Sequence, residues 1–267
     1  MTSTILITGG TGTLGRLVVP RLRAAGQRVR VLSRTEREGH DGVEYVTGDL
    51  VRGEGVEAAV ADAPIVLHLA GGPKGDDVAT RSLARAAAAA GARHLVYISV
   101  IGADRVPLAW MRSKLAAEQA VAESGVPWTT LRAAQFHDLA LTMVRGLVKL
   151  PVVPKPGGLR LQPVDARDVA ERLVELVLGE PAGLVPDLAG PRVYGMDELV
   201  RGYLTATGKR RLALPVRIPG KAGRAYRAGD NLTLEGAALG RGTWEEFLAR
   251  TVRAAGAATS GAPAASS

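Results

Sequence analysis

One glycine-rich stretch near the amino terminus constrains this chain more than anything else in it. Thr8-Gly9-Gly10-Thr11-Gly12-Thr13-Leu14-Gly15 sets Gly9, Gly12 and Gly15 three residues apart. The apolar, β-branched run 4–8 precedes it, and residues 13–25, with an amphipathic helical period closed by Gly26, come after it. A G-x-x-G-x-x-G spacing between a strand and a helix asks for a tight turn, a backbone free of side chains, and close helix–strand packing. The loop then presents amide N–H groups and the positive end of a helix dipole, which together suit a pyrophosphate. Residues 8–15 are therefore read as the cradle of a dinucleotide.

The remaining pattern agrees with parallel βαβ units. Strands are expected at 28–33, 44–46, 63–70, 94–99 and 128–133, with helices at 76–90 and 108–124 between them. Asp76 or Asp77 can cap the first of these helices, which Gly91 ends. After residue 133 the pattern loosens. Pro151, Pro154, Pro156 and Gly157-Gly158 read as a loop over one end of the sheet, and helices are expected at 164–178, 197–207 and 243–253. The fold class is α/β, a doubly wound parallel sheet with a small C-terminal substrate region. Residues 1–253 form one nucleotide-binding domain, in which residues from 137 onward supply most of the substrate region. Residues 254–267, rich in Ala, Gly, Ser and Pro, read as a disordered tail.

The end of the second strand selects the nucleotide. An Asp or Glu about 20 residues past the loop would hold a ribose 2′-hydroxyl; this chain has Ser33-Arg34-Thr35. A guanidinium cannot accept from a hydroxyl, but it can clamp a 2′-phosphate and stack on adenine. NADP(H) is favoured over NAD(H). Asp49, with Leu50 at the end of the third strand, can either reach the adenine amino group or cap the next helix.

Composition narrows the chemistry. The 267 residues are 46% apolar and include no cysteine, which removes disulfides, thiolate metal sites and cysteine nucleophiles. No metal site, G-x-S-x-G elbow or G-K-[ST] phosphate loop is visible. No apolar run is long enough to span a bilayer, so a cytoplasmic protein with no membrane partner is expected. The net charge is +8. Nearly all of the excess lies between residues 201 and 254, where 11 basic residues face 4 acidic ones. Such a segment favours anionic ligands, but without a helix-turn-helix or a basic–aromatic stripe it does not point to nucleic acid.

Several blocks beyond the loop resemble the NmrA-like branch of the atypical (extended) short-chain dehydrogenase/reductases. They are Gly48-Asp49-Leu50, Ala70-Gly71-Gly72, Tyr97-Ile98-Ser99-Val100, Lys114-Leu115-Ala116-Ala117-Glu118, Arg132 to His137, Gln162 to Asp165, Asp168-Val169-Ala170 and Trp244 to Phe247. The resemblance covers about residues 4–248. It implies a Rossmann fold and NADPH-dependent reduction of quinones, dyes or phenylpropanoids, or dinucleotide binding that only regulates. It also implies that Ala70, Gly71, Gly72, Gln135 and Phe136 line the cofactor. Lys74 can contact phosphate or substrate.

Typical members of that superfamily carry Tyr-x-x-x-Lys on a helix. Here the pattern reads Trp110-Met111-Arg112-Ser113-Lys114. Lys114 remains to hold the nicotinamide ribose. Trp110 is a hydrogen-bond donor only and cannot serve as a general acid. Lys114 can itself supply the proton, the acceptor can need none, or catalysis can be lost. In the second case Trp110 is an aromatic wall for a flat acceptor. Ser99 can polarise a substrate oxygen, and His137 can relay a proton or fill a structural role. The expected function is NADPH-dependent reduction of a small planar quinonoid, aromatic or enone molecule. A dinucleotide-sensing regulator and an NADP-dependent isomerase or dehydratase are the alternatives, and oligomeric state is left open, a homo-oligomer included.

Overall fold

Short runs of Val, Ile, Leu and Thr make strands that are buried on both faces, and Ala-rich amphipathic segments make the helices that cover them. The computed structural model describes residues 3–39, 41–72 and 74–260. The first half alternates strictly: β1 (Thr4–Thr8), α1 (Gly15–Ala24), β2 (Arg28–Ser33), β3 (Val43–Thr47), α2 (Val56–Val60), β4 (Ile65–His68), α3 (Asp76–Ala89), β5 (His94–Val100), α4 (Ala109–Ala122) and β6 (Trp128–Ala133). The second half comprises α5 (His137–Val148), β7 (Val152–Pro156), β8 (Arg160–Leu161), α6 (Ala166–Leu178), β9 (Gly183–Leu184), β10 (Leu188–Ala189), β11 (Tyr194–Gly195), α7 (Met196–Ala206), β12 (Leu212–Val216), α8 (Gly220–Ala228), β13 (Ala238–Leu239) and α9 (Trp244–Ser260).

The long strands lie parallel in the order β3-β2-β1-β4-β5-β6, and β10 and β13 extend the β6 edge. Strand order reverses between β1 and β4, and the crevice at their carboxyl ends is where ligands bind in open parallel sheets. Register places Thr8 opposite both Leu32 and His68, and His68 opposite Tyr97. Val18 and Leu22 of α1 and Leu173 and Val177 of α6 fill one face of the sheet. On the other face Leu83 of α3 and Val121 of α4 pack over Leu6, Val66, Leu95 and Tyr97. A third core joins α5, α7 and α9 beyond the sheet. A fourth, smaller one lies under the β5–α4 connection, against α8.

The structure departs from the sequence reading mainly in its second half. Residues 152–156 are not loop: β7 pairs in parallel with β12. Proline is compatible with strands that carry a free edge, so its presence does not exclude this pairing. Helices α2, α5 and α8 have no counterpart among the expected elements. Nor does α9 stop at residue 253, since its backbone continues to Ser260. Alanine is both the best helix former and a common linker residue, so composition alone separates the two poorly. Residues 261–267 of the expected tail lie outside the described residues.

Candidate active site

The cradle is built backbone on backbone. Gly9 turns the chain with φ of +69°, and a Cβ there would stand 2.7 Å from the Ala70 amide nitrogen. Gly15, opening α1, lies so close to Gly10 that a Cβ would come within 2.3 Å of its carbonyl. Neither backbone neighbour can yield, so the two glycines fix the loop against both the helix and the end of β4. At the opening of α1 the Arg16 amide donates to the Gly12 carbonyl and those of Leu17 and Val18 to the Leu14 carbonyl, whereas the amides of Thr13, Leu14 and Gly15 have no acceptor among the described residues.

Above the loop lies a cleft of about 590 Å³. Thr8, Gly9, Thr11 and Gly12 line its floor, Ser33, Arg34, Asp49 and Leu50 one end, and Ala70, Gly71, Gly72 and Lys74 the other. The cleft also takes in Arg37 and Asp76. Sequence reasoning missed Arg37, although it is a second guanidinium three residues beyond Arg34. Gly10, Leu14 and Gly15 are buried beneath the loop, and Thr13 is exposed on its rim. Asp49 caps the turn after it: its Oδ1 accepts from the amides of Val51 at 2.8 Å and Arg52 at 3.2 Å. Those two bonds hold its carboxyl below the usual carboxylate range.

Beneath the cleft a buried polar chain ties three segments together. Thr80 donates to the Asp76 carbonyl at 2.6 Å, so its oxygen accepts from Nε2 of His68 at 2.9 Å. The other ring nitrogen of His68 then accepts from the Thr8 hydroxyl at 2.6 Å, and Thr8 in turn accepts from the Ala70 amide. This network assigns a neutral imidazole, and burial lowers His68 to about 3. Tyr97 stacks on it with ring centroids 5.3 Å apart.

Lys114 enters from α4. Its Nζ lies 3.0 Å from Oδ2 of Asp76 and donates to the Tyr97 hydroxyl at 3.3 Å. The other Asp76 oxygen accepts from the Gly72 amide at 2.6 Å. Asp76 is therefore not a helix cap, because Gly75 occupies that position with φ of +80° and no side-chain capping bond. The carboxylate instead ties Lys114 to the Gly71-Gly72 turn. Burial, then Asp76 and Glu118, push the Tyr97 phenol up from its ordinary value of 10.0.

The remaining candidates separate. Ser99 is buried and donates to Glu118 at 2.5 Å. Glu118 also accepts two bonds from Arg132, which reaches Asp104 as well. Gln135 lies just past β6 with its Oε1 buried and unpartnered, and Phe136 beside it is half-buried. Trp110, in the first turn of α4, is half-buried in the same small core as Tyr226 of α8. None of Ser99, Trp110, Gln135 and Phe136 lines the cleft, and neither does His137. It is closed from solvent between Trp244 and Phe247, with centroids 5.9 and 5.2 Å away. Both its ring nitrogens are unpartnered, and burial lowers it to about 4.

Two observations test whether a dinucleotide fits. A Cβ at Gly12 would meet one atom, the Gly9 carbonyl oxygen, and would otherwise occupy the cleft that Gly12 lines. The orphaned Gln135 oxygen sits at the carboxyl end of β6, where a ligand amide or hydroxyl would satisfy it. The residues fit the group.

Comparison with known proteins agrees. The NAD(P)H-binding family profile matches residues 9–180. A (4-alkanoyl-5-oxo-2,5-dihydrofuran-3-yl)methyl phosphate reductase of Streptomyces griseus is 35% identical over 80% of this chain and 75% of its own. A ceramide reductase of Caulobacter vibrioides is 30% identical over 91% of this chain and 84% of its own. Among solved structures, an NADPH-dependent quinone oxidoreductase from Escherichia coli, complexed with NADPH, superposes with a TM-score of 0.80. It covers 92% of this chain and 99% of its own at 18% identity. At that identity the likeness speaks for the fold.

Proposed function

The chain belongs to the NAD(P)H-binding family, and on that premise we propose that it is an NADPH-dependent reductase of small planar acceptors, quinonoid, aromatic or enone. When bound, the nicotinamide supplies a hydride equivalent. The chain's own residues bind and orient. The amides of Thr13, Leu14 and Gly15 receive the pyrophosphate over the bare backbone of Gly12, while Arg34 and Arg37 face the 2′-phosphate of the adenosine ribose. Asp76 holds the Lys114 ammonium as a fixed donor beside the Gly71-Gly72 turn.

The observation that carries this reading is the pairing of Lys114 with Asp76 and Tyr97 where Trp110 replaces the usual tyrosine. Tyr97 is buried and its phenol is shifted upward, so it makes a poor proton donor near neutral pH. A site with no matched side-chain acid suits an acceptor reduced at carbon, with water supplying any later proton. Trp110 and Tyr226 then offer aromatic surface to a flat molecule.

The same shortage of a proton donor favours one competing reading, a protein that binds the dinucleotide to sense it. Turnover separates the two. Purified protein is titrated with NADPH and NADH, then assayed for NADPH oxidation with quinones, azo dyes and enones. The proposal expects NADPH to bind more tightly than NADH and at least one acceptor class to turn over. Arg34→Ser should weaken NADPH by about 1.5–3 kcal/mol, ten- to hundredfold, and leave NADH nearly unchanged. Tight NADPH binding without turnover of any class would leave the sensor.

A further inference from the structure

The basic excess read in the sequence has no part in the site above. Residues 139–164 and 199–229 hold twelve Lys or Arg and no Asp or Glu. The fold brings the two stretches together through the parallel ribbon of β7 and β12, in which Leu212 pairs with Val152, Leu214 with Pro154 and Val216 with Pro156. Alternation along a strand puts these six on one face, and all six are apolar. Leu212 is 77% exposed, Leu214 59%, Val152 44% and Val216 37%. The opposite face carries Val153, which is buried, and Ala213, which packs on the third core. Farther along that opposite face Lys155 is half-buried and Pro215 exposed, so the ribbon is anchored by Val153 and Ala213 at its start and turns the six apolar residues of its other face toward water.

Cations frame that face. Where the ribbon begins, Arg145, Lys149, Lys209 and Arg211 surround a cleft of about 250 Å³ with Tyr203. Among the described residues no carboxylate pairs with any of the four. Arg217, Lys221 and Arg224 lie just beyond the other end of β12.

We infer that this ribbon is a docking surface for an anionic lipid bilayer. Headgroup phosphates answer the unpaired cations, and the interfacial acyl region answers the leucines and valines. A second copy of the chain would cover the apolar face only by setting one cationic frame against another. A soluble anion would fill the cleft and leave the leucines in water. The sequence expectation of no membrane partner rests on the absence of spans, which does not bear on an amphiphilic surface.

Flotation of the full chain with phosphatidylcholine vesicles, with and without phosphatidylglycerol, tests this. The wild type should float with the anionic vesicles at low salt and stay behind with neutral ones. A triple variant, Lys149→Gln with Lys209→Gln and Arg211→Gln, should partition about a hundredfold more weakly. Leu212→Ser with Leu214→Ser should also weaken it, and since both leucines are exposed the fold should survive. Melting temperature and NADPH affinity check that in each variant. Three results overturn the inference: no flotation with anionic vesicles, flotation that neither variant weakens, or a soluble dimer that the serine variant splits. None of them touches the reductase reading, which NADPH binding and turnover decide.

Discussion

Acidification should destabilise this protein steeply, and two histidines set the size of the effect. His68 and His137 are both buried, and their folded-state values are lowered from 6.5 to about 3 and about 4. Below 6.5 the unfolded chain takes up protons that the folded chain refuses until far lower pH. Their contribution therefore falls with decreasing pH from about 6.5 down to about 4 for His137 and about 3 for His68, and is flat above about 6.5. Between about pH 7 and pH 5 each histidine costs about 2 kcal/mol, so the pair removes about 4 kcal/mol from a total of about 5–15. His94, also buried and also shifted down by burial, acts in the same direction. The perturbation is His137→Phe, which keeps a ring between Trp244 and Phe247 and discards two unpartnered nitrogens. Urea unfolding at the two pH values reads the result. The added ring volume changes stability equally at both, so the difference between them is the informative quantity. It should shrink by about 2 kcal/mol in the variant. A variant that loses as much as the wild type would refute the argument.

Two further outcomes concern glycines and one the buried ion pair. Gly15→Ala places a Cβ 2.3 Å from Gly10 backbone, so NADPH binding by calorimetry should be lost along with several degrees of melting temperature. Gly146→Ala, at an exposed position of α5 where a Cβ meets nothing within 4 Å, should instead stabilise by about 0.5–1 kcal/mol in urea unfolding. Asp76→Asn and Lys114→Met should each destabilise, yet the double variant should fall short of their sum by about 1–3 kcal/mol, measured the same way. Strict additivity would mean that the 3.0 Å pair is energetically idle.

How much the sequence discloses depends on the range of each interaction. The glycine loop, the six long strands and Arg34 are local signals, and local signals are legible. Asp76 looks like a helix cap because capping is decided within four residues, whereas its partner Lys114 arrives from the next helix. The Thr8–His68–Thr80 chain needs three segments in register before any of those side chains acquires a role. Ser99 ends a strand as expected, but Glu118, which claims its hydroxyl, is set by packing of α4. His137 comes after a strand on the ligand side of the sheet, and nothing nearby announces that α9 closes over it.

That closure bears on how the protein is made. His137, Tyr194 and Leu199 are all synthesised well before their covering residues. Trp244 donates to Tyr194 and to the Leu199 carbonyl, Tyr194 donates to Glu245, and Arg250 reaches back to Asp165. On the ribosome the nucleotide-binding half can settle early, while the module built on α5 and α7 waits with its greasy side uncovered until α9 emerges. Nascent chains halted short of Trp244 should therefore be the ones that recruit chaperones.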